Sequence, residues 1–444
     1  MTHIIHRNPQ ARLPIAASGS GCFITDTQGH RYYDASGGAA VSAIGHGHPV
    51  VLEALTTQAQ QLEYAHTSFF TTHAAEALAD HLSQHAPAGL NKVYFLSSGS
   101  EAVETAIKMA RQYHVDNAEP SRARFIARRQ SYHGNTLGAL SIGGNLPRRT
   151  LYEPLLMDVL HVSPCFPYRY QSENESDDAY STRLAAELED TIVQAGPETV
   201  AAFFAETVVG ATAGAVAPVR GYFEKIRQVC DKYGVLLILD EIMCGMGRTG
   251  TLHAFEQEAV TPDILCLAKG LGGGYQPIAA VMARDFIIDR IYRGSGAFQH
   301  GHTYVGHPIA CATALAVQQL VQRENLVGQC AKLGTALHSM LTERFGEHRH
   351  VADIRGRGLF QAIELVVDRD SGKPFDRQLK INQRIKQAAS SRGLLCYPGG
   401  GTIDGLSGDH ILLAPPYITT ESELSEAVDI LGQSVDHALA NLVN

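Results

Sequence analysis

The chain has no tryptophan, so any aromatic wall of a ligand pocket has to be built from Phe or Tyr. It has no CxxC pair either. Eight cysteines (Cys22, Cys165, Cys230, Cys244, Cys266, Cys311, Cys330 and Cys396) are scattered singly, several of them in apolar runs. Such thiols are expected to be buried and free in a reducing compartment, which points to the cytoplasm. No cluster of Lys or Arg stands out, and 36 basic against 45 acidic residues leave a formal net charge of −9. That excludes nucleic acid and an anionic membrane surface as expected partners. The stretch MTHIIHRNPQARLPIAASG lacks the apolar core of a secretory signal. No segment approaches the roughly 20 apolar residues of a membrane span. Internal repeats and low-complexity blocks are missing as well.

What is present is a recurring pattern of helix, glycine, short apolar run and polar or glycine-rich turn. At 444 residues two domains, or one large domain with a satellite, are expected. In residues 221–240, Tyr222, Phe223, Ile226, Val229, Cys230 and Tyr233 fall on one helical face, Gly234 stops the helix, and Val235–Leu239 is wholly apolar. An apolar run without alternation suits a parallel strand covered on both faces. Val93–Leu96, Phe125–Ala127, Val200–Ala205 and Ile264–Leu267 read the same way. The expected fold class is α/β, with a large doubly wound, mostly parallel sheet over residues 51–320. Residues 321–444 read as a smaller α+β domain completed by residues 1–50. Its C-terminal helix opens at a Thr420–Glu423 capping box.

In a doubly wound sheet, ligands sit beyond the carboxyl ends of the strands. Those ends read SSGSEA, SYHG, ETVVG, DEIMCG and AKGLGGG. The fragment GMGRTG (245–250) matches the dinucleotide fingerprint G-x-G-x-x-G, but Asp240 and Glu241 occupy the strand tip where the first glycine belongs. A pyrophosphate would be repelled there, so the fragment reads as a structural loop. Ser97-Ser98-Gly99-Ser100-Glu101 is a better phosphate cradle. Ser98 with Glu101 forms a capping box, and Gly99 and Ser100 could bind one phosphate at the helix N-terminus. Lys269 follows an apolar strand and precedes a glycine-rich turn; a lysine partly desolvated there favours its neutral, nucleophilic form. A monophosphate cradle, such a lysine and the lone carboxylate of Asp240 together suggest pyridoxal 5′-phosphate. Tyr132 or His133 could stack on its ring.

With these motifs in view, the sequence resembles the class III (ω-type) aminotransferases of fold type I. The resemblance runs from GCFITDTQGHRYYDASGG and GHGHP through SSGSEAVETAIKMAR, SYHG, LDEIMCGMGRTG and LAKGLGGG to GHTYVGHPIACATALA and LAPPYIT. It implies that Lys269 forms the Schiff base and that Asp240 pairs with the pyridine nitrogen. Ile242 packs on the ring face opposite Tyr132, and Gly99 and Ser100 bind the phosphate. Glu206 is the acidic residue that partners substrate-recognition or cofactor groups. Thr303, in HTYVGHP, reaches the phosphate of the neighbouring subunit, which implies a homodimer with shared sites, or a tetramer built from it. The implied activity moves an amino group from a primary amine or ω-amino acid donor to a small 2-oxo acid, pyruvate being the expected acceptor.

Three departures from the family pattern stand out. Met243 occupies a position where many relatives carry glutamine, and Gly405 one where many carry a carboxylate-clamping arginine. Arg169 is the expected substitute clamp, with Arg248 fixed in its loop. The third is the missing tryptophan, for which Phe23, Tyr152 and Tyr168 are candidate replacements. A racemase, epimerase or aminomutase would use the same lysine, a NAD-binding oxidoreductase would rest on GMGRTG, and a non-catalytic scaffold would not retain both Lys269 and Asp240. The histidines of Gly45-His46-Gly47-His48-Pro49 and His300-Gly301-His302 lack acidic or cysteine partners at ligand spacing. The resemblance implies turn and interface roles for them, and no metal is expected.

Overall fold

Seven strands form the central sheet of the computed structural model, which describes residues 3–440. Their spatial order is Leu90–Leu96, Ala279–Arg284, Ile264–Leu267, Leu236–Asp240, Val200–Glu206, Arg124–Arg128 and Val159–Val162. The last five pair in parallel, while Ala279–Arg284 runs antiparallel to both its neighbours. The expected mostly parallel α/β sheet is therefore present.

Unbroken apolar runs follow from two-sided burial. Phe203, Ala205, Leu237 and Leu239 point into one apolar layer, and Ala202, Phe204, Leu236 and Ile238 into the other. The first layer is closed by helices that include Asp177–Ala195 and Tyr222–Tyr233, the second by Gly99–Asp116. Residues 222–233 are helical with the expected face buried, and Gly234 ends the helix at φ 64°. Each buried leucine or phenylalanine contributes roughly 1.5–3 kcal/mol.

Two strands lie outside the pattern legible in the sequence. Val159–Val162 is a short edge strand interrupted by His161. Ala279–Arg284 is alanine-rich and antiparallel, so no helix has to precede it.

A second, antiparallel sheet orders Val351–Arg357, Phe360–Leu365, Asp409–Leu413 and Tyr397–Gly400. The chain's beginning folds onto this region. Cys22, Tyr33 and Ile44 share one apolar core with Leu337, Ile363 and Leu431, and Tyr33 N–H donates to the Gly393 carbonyl at 2.8 Å. Helix Pro308–Arg323 joins the two halves, giving Ala314 to the large core and Val317 and Leu320 to the small one. The final helix, Glu421–Ala440, starts at the expected box: Glu423 N–H donates to Thr420 Oγ1 at 3.2 Å, and Thr420 N–H to Glu423 Oε2 at 2.8 Å. Among the described residues no helix is long and apolar enough to cross a membrane.

Candidate active site

Where the parallel strands end, a cavity of about 300 Å³ opens. Nine of the ten residues expected to contact the cofactor line it: Ser98, Gly99, Ser100, Tyr132, His133, Glu206, Asp240, Ile242 and Lys269. They come from five strand ends far apart in sequence, and only the sheet brings them together.

The cradle is the start of helix Gly99–Asp116. Ser98 caps it, its Oγ accepting from Glu101 N–H at 3.3 Å. The reciprocal half of the expected capping box is displaced by one residue, because Glu101 Oε2 accepts from Ser97 N–H at 2.8 Å. The Gly99 and Ser100 N–H groups find no partner among the described residues, as the first turn of a helix requires unless a ligand satisfies it. Glycine at 99 has a steric reason: a Cβ there would sit 2.9 Å from Ile242 Cγ2.

Asp240, at the tip of Leu236–Asp240, is buried and doubly held. Its Oδ1 accepts from Ile242 N–H at 2.9 Å, and its Oδ2 lies 2.8 Å from His133 Nδ1. The fully buried His133 ring therefore presents its edge to Asp240. The sequence could have suggested this link only through strand adjacency. Glu206 accepts from Tyr132 N–H at 3.1 Å and from Gly210 N–H at 3.0 Å, tying two strand-end loops together. Burial, reinforced by the Asp240 charge, pushes its carboxyl above the ordinary range, against those N–H donors.

Lys269 stands at the cavity floor with φ +45°, a left-handed conformation uncommon outside glycine. Burial pulls its ammonium below the ordinary lysine value, and the nearby charges of Asp240 and Glu206 offset this only in part. Among the described residues nothing hydrogen-bonds or ion-pairs with that ammonium. Burial thus disfavours its charged form, and the amine faces the cavity.

Neighbouring Glu241 has a different task. It is fully buried, accepts from Thr207 Oγ1, Ala254 N–H and Phe255 N–H at 2.7–2.8 Å, and shapes the loop that follows. In GMGRTG, Gly247 and Gly250 take φ 97° and 92°. Arg248 is buried over Tyr417, 4.6 Å from its ring centroid, and donates to the Leu359 and Pro415 carbonyls. The loop seals one half of the molecule to the other, lines no part of the cavity and opens no α-helix. The dinucleotide reading has no site here.

Other expectations need correction. Arg169 cannot serve as the substitute clamp at the cavity: Glu364 holds it, with Nε–Oε1 at 2.6 Å, and it donates to the Gly372 carbonyl at 2.7 Å. The cavity is lined by neither Phe23, Tyr152 nor Tyr168. Phe23 lies beneath the Arg31 guanidinium, 3.5 Å from its ring centroid. Thr303, expected at the neighbouring subunit's site and so not in need of correction, is exposed and off this chain's cavity, its carbonyl accepting from Tyr64 OH at 3.0 Å. Met243, by contrast, does line the cavity. His46 pairs with Asp34 at 3.1 Å and His300 with Thr105 Oγ1 at 2.8 Å.

The sequence profile described as aminotransferase class-III matches residues 5–435. An uncharacterized aminotransferase of Schizosaccharomyces pombe is 45% identical over 441 residues, spanning 99% of this chain and 96% of the relative. Another from Bacillus subtilis is 37% identical, spanning 99% of both. Among solved structures, the ω-transaminase of Pseudomonas jessenii in complex with PMP superposes with a TM-score of 0.92 at 33% identity, covering 98% of this chain and 97% of that one.

Proposed function

The chain belongs to the class-III aminotransferases, and on that premise we propose that it moves an amino group from a primary amine or ω-amino acid to pyruvate in two ping-pong half-reactions. One observation carries the reading: a burial-depressed lysine, a buried carboxylate and an unpartnered helix N-terminus converge on a single cavity.

Those residues fit pyridoxal 5′-phosphate, which when bound supplies an electrophilic carbon and an electron-withdrawing ring. The Gly99 and Ser100 N–H groups and the Ser100 hydroxyl would hold its phosphate. Asp240 would keep a proton on the ring nitrogen, and His133 acts as a positioning residue that fixes the carboxylate. Tyr132 and Ile242 would bracket the ring. Glu206 orients Tyr132 through its N–H bond. Lys269 Nζ, whose charged form burial disfavours, would bond the cofactor and then carry the proton between substrate carbon and cofactor. Eight buried cysteines without a disulfide support a cytoplasmic setting.

A donor–acceptor panel on the holoenzyme tests the activity. Amines and ω-amino acids should turn over only with a 2-oxo acid present. Turnover of one amino acid without any acceptor would replace the reading with racemisation or mutation. Pyruvate should show the higher kcat/KM against 2-oxoglutarate, whose second carboxylate needs a further cation. A higher value for 2-oxoglutarate would refute the acceptor choice.

A homodimer with shared sites is part of the proposal. Its support is the position of Thr303, exposed on this chain and off its cavity. Mixing Lys269→Ala and Thr303→Ala chains would then give heterodimers with one doubly defective site and one intact site. Activity should recover toward the parent's, up to the statistical share of mixed dimers. If Thr303 served its own chain, each mixed site would carry one defect and nothing would recover beyond the Thr303→Ala level.

A further inference from the structure

The class-III resemblance implies an arginine where this chain has Gly405, in the loop spanning residues 401–408, and the local geometry leaves no room for a side chain there. The φ of Gly405 is +88°, and a Cβ would lie 2.6 Å from Pro147 Cδ. The residue next to that proline is Arg148. Its exposed guanidinium lies 4.6 Å from the centroid of the Tyr132 ring, and Tyr132 itself lines the cavity. Among the described residues no carboxylate pairs with Arg148.

The segment carrying it is firmly held. Arg149 turns inward and donates to the Ser141 and Gly143 carbonyls at 2.5 and 2.8 Å. On the facing side, Asn145 Nδ2 donates to Gln130 Oε1 at 3.1 Å, and Gln130 Nε2 donates to the Gly401 carbonyl. The strand end, the Pro147–Arg148 turn and the Gly405 loop thus form one braced rim. Arg148 is a charged fork on that rim, held against an aromatic face and free of an acid. Stacking on a ring holds a guanidinium while leaving its N–H edges available for a carboxylate.

Resting on the aminotransferase reading, we propose that Arg148 binds the carboxylate of the 2-oxo acid and of carboxylate-bearing donors, in place of the arginine that Gly405 cannot supply. Arg148 does not itself line the cavity and meets it through Tyr132, so as one unpaired fork it would take a single carboxylate.

Two measurements on the holoenzyme test it. The first compares acceptors with and without a carboxylate, pyruvate against butanal, in the parent, Arg148→Ala and Arg148→Lys. Arg148→Ala should lower the pyruvate-to-butanal ratio of kcat/KM by about tenfold or more, with Arg148→Lys between. The second is calorimetric titration with propionate, a carboxylate that cannot react, whose affinity should weaken by a similar factor in Arg148→Ala. An unchanged ratio with unchanged propionate affinity would overturn the assignment. So would a loss appearing in Arg7→Ala instead, since the charge of Arg7 also reaches Tyr132. The propionate arm does not depend on turnover. A parent that binds propionate through Arg148 but transfers no amino group would refute the activity and leave this residue's role standing.

Discussion

Lys269→Ala should abolish the proposed transamination while leaving a folded protein. The substitution removes the only lysine in the cavity and with it both proposed duties, bonding the cofactor and carrying the proton. General acid–base transfer alone contributes on the order of 10²–10⁴-fold, and loss of the covalent step adds to it, so the fall should exceed about 10⁴-fold. Folding should survive, because no hydrogen bond or ion pair is lost. Desolvation of the ammonium also disappears. Since burial sets the folded lysine below its unfolded value, the charged form opposes folding. The parent therefore gains stability as pH rises from the folded pKa toward the unfolded one, against the partial offset of Asp240 and Glu206. Melting temperatures across pH should show that rise in the parent cofactor-free protein and a flatter profile in Lys269→Ala. Near-parental turnover by the variant would remove Lys269 from the reaction.

Asp240→Asn should keep the cofactor and lose most of the rate. The amide has the size of the carboxylate and can still meet His133 Nδ1 and Ile242 N–H, so the cavity should keep its shape. What it lacks is the negative charge that, on the proposed reading, would keep a proton on the bound ring nitrogen. Preorganised charge of this kind is worth roughly 3–4 kcal/mol of barrier, a drop of about 10²–10³-fold in kcat. An absorption band retained with kcat down by that factor is the expected pair of readings. Parental kcat would mean that the ring nitrogen faces another group.

How much of this was legible beforehand differs by element. The strands at 200–206, 236–240 and 264–267 announce themselves as unbroken apolar runs because both faces are covered. Ala279–Arg284 does not, since alanine carries little hydrophobic signal and an antiparallel neighbour needs no crossover helix. Lys269 and Asp240 were readable because strand tips are where an α/β sheet places its chemistry. His133 as the partner of Asp240 was not: that contact joins residues 107 apart through the strand between them. Arg169 illustrates the limit of position along the chain as a guide. Its neutralising carboxylate, Glu364, lies 195 residues away.

The antiparallel strand Ala279–Arg284 also sets a timetable. Leu90–Leu96 is the edge of the sheet, and Ala279–Arg284 is its sole neighbour there. During synthesis, the strand leading into the SSGS cradle therefore emerges early. It waits for a partner nearly two hundred residues behind it, with its backbone donors and acceptors unsatisfied. Pairings of such long sequence separation form late and slowly, and unpaired edges in the interim invite association with other chains. The cradle and the lysine are consequently locked into one sheet only when residues 279–284 arrive. Completion of the cavity is tied to the last strand laid into that sheet, and a chain cut short before Ala279 would carry both motifs without the strand that joins them.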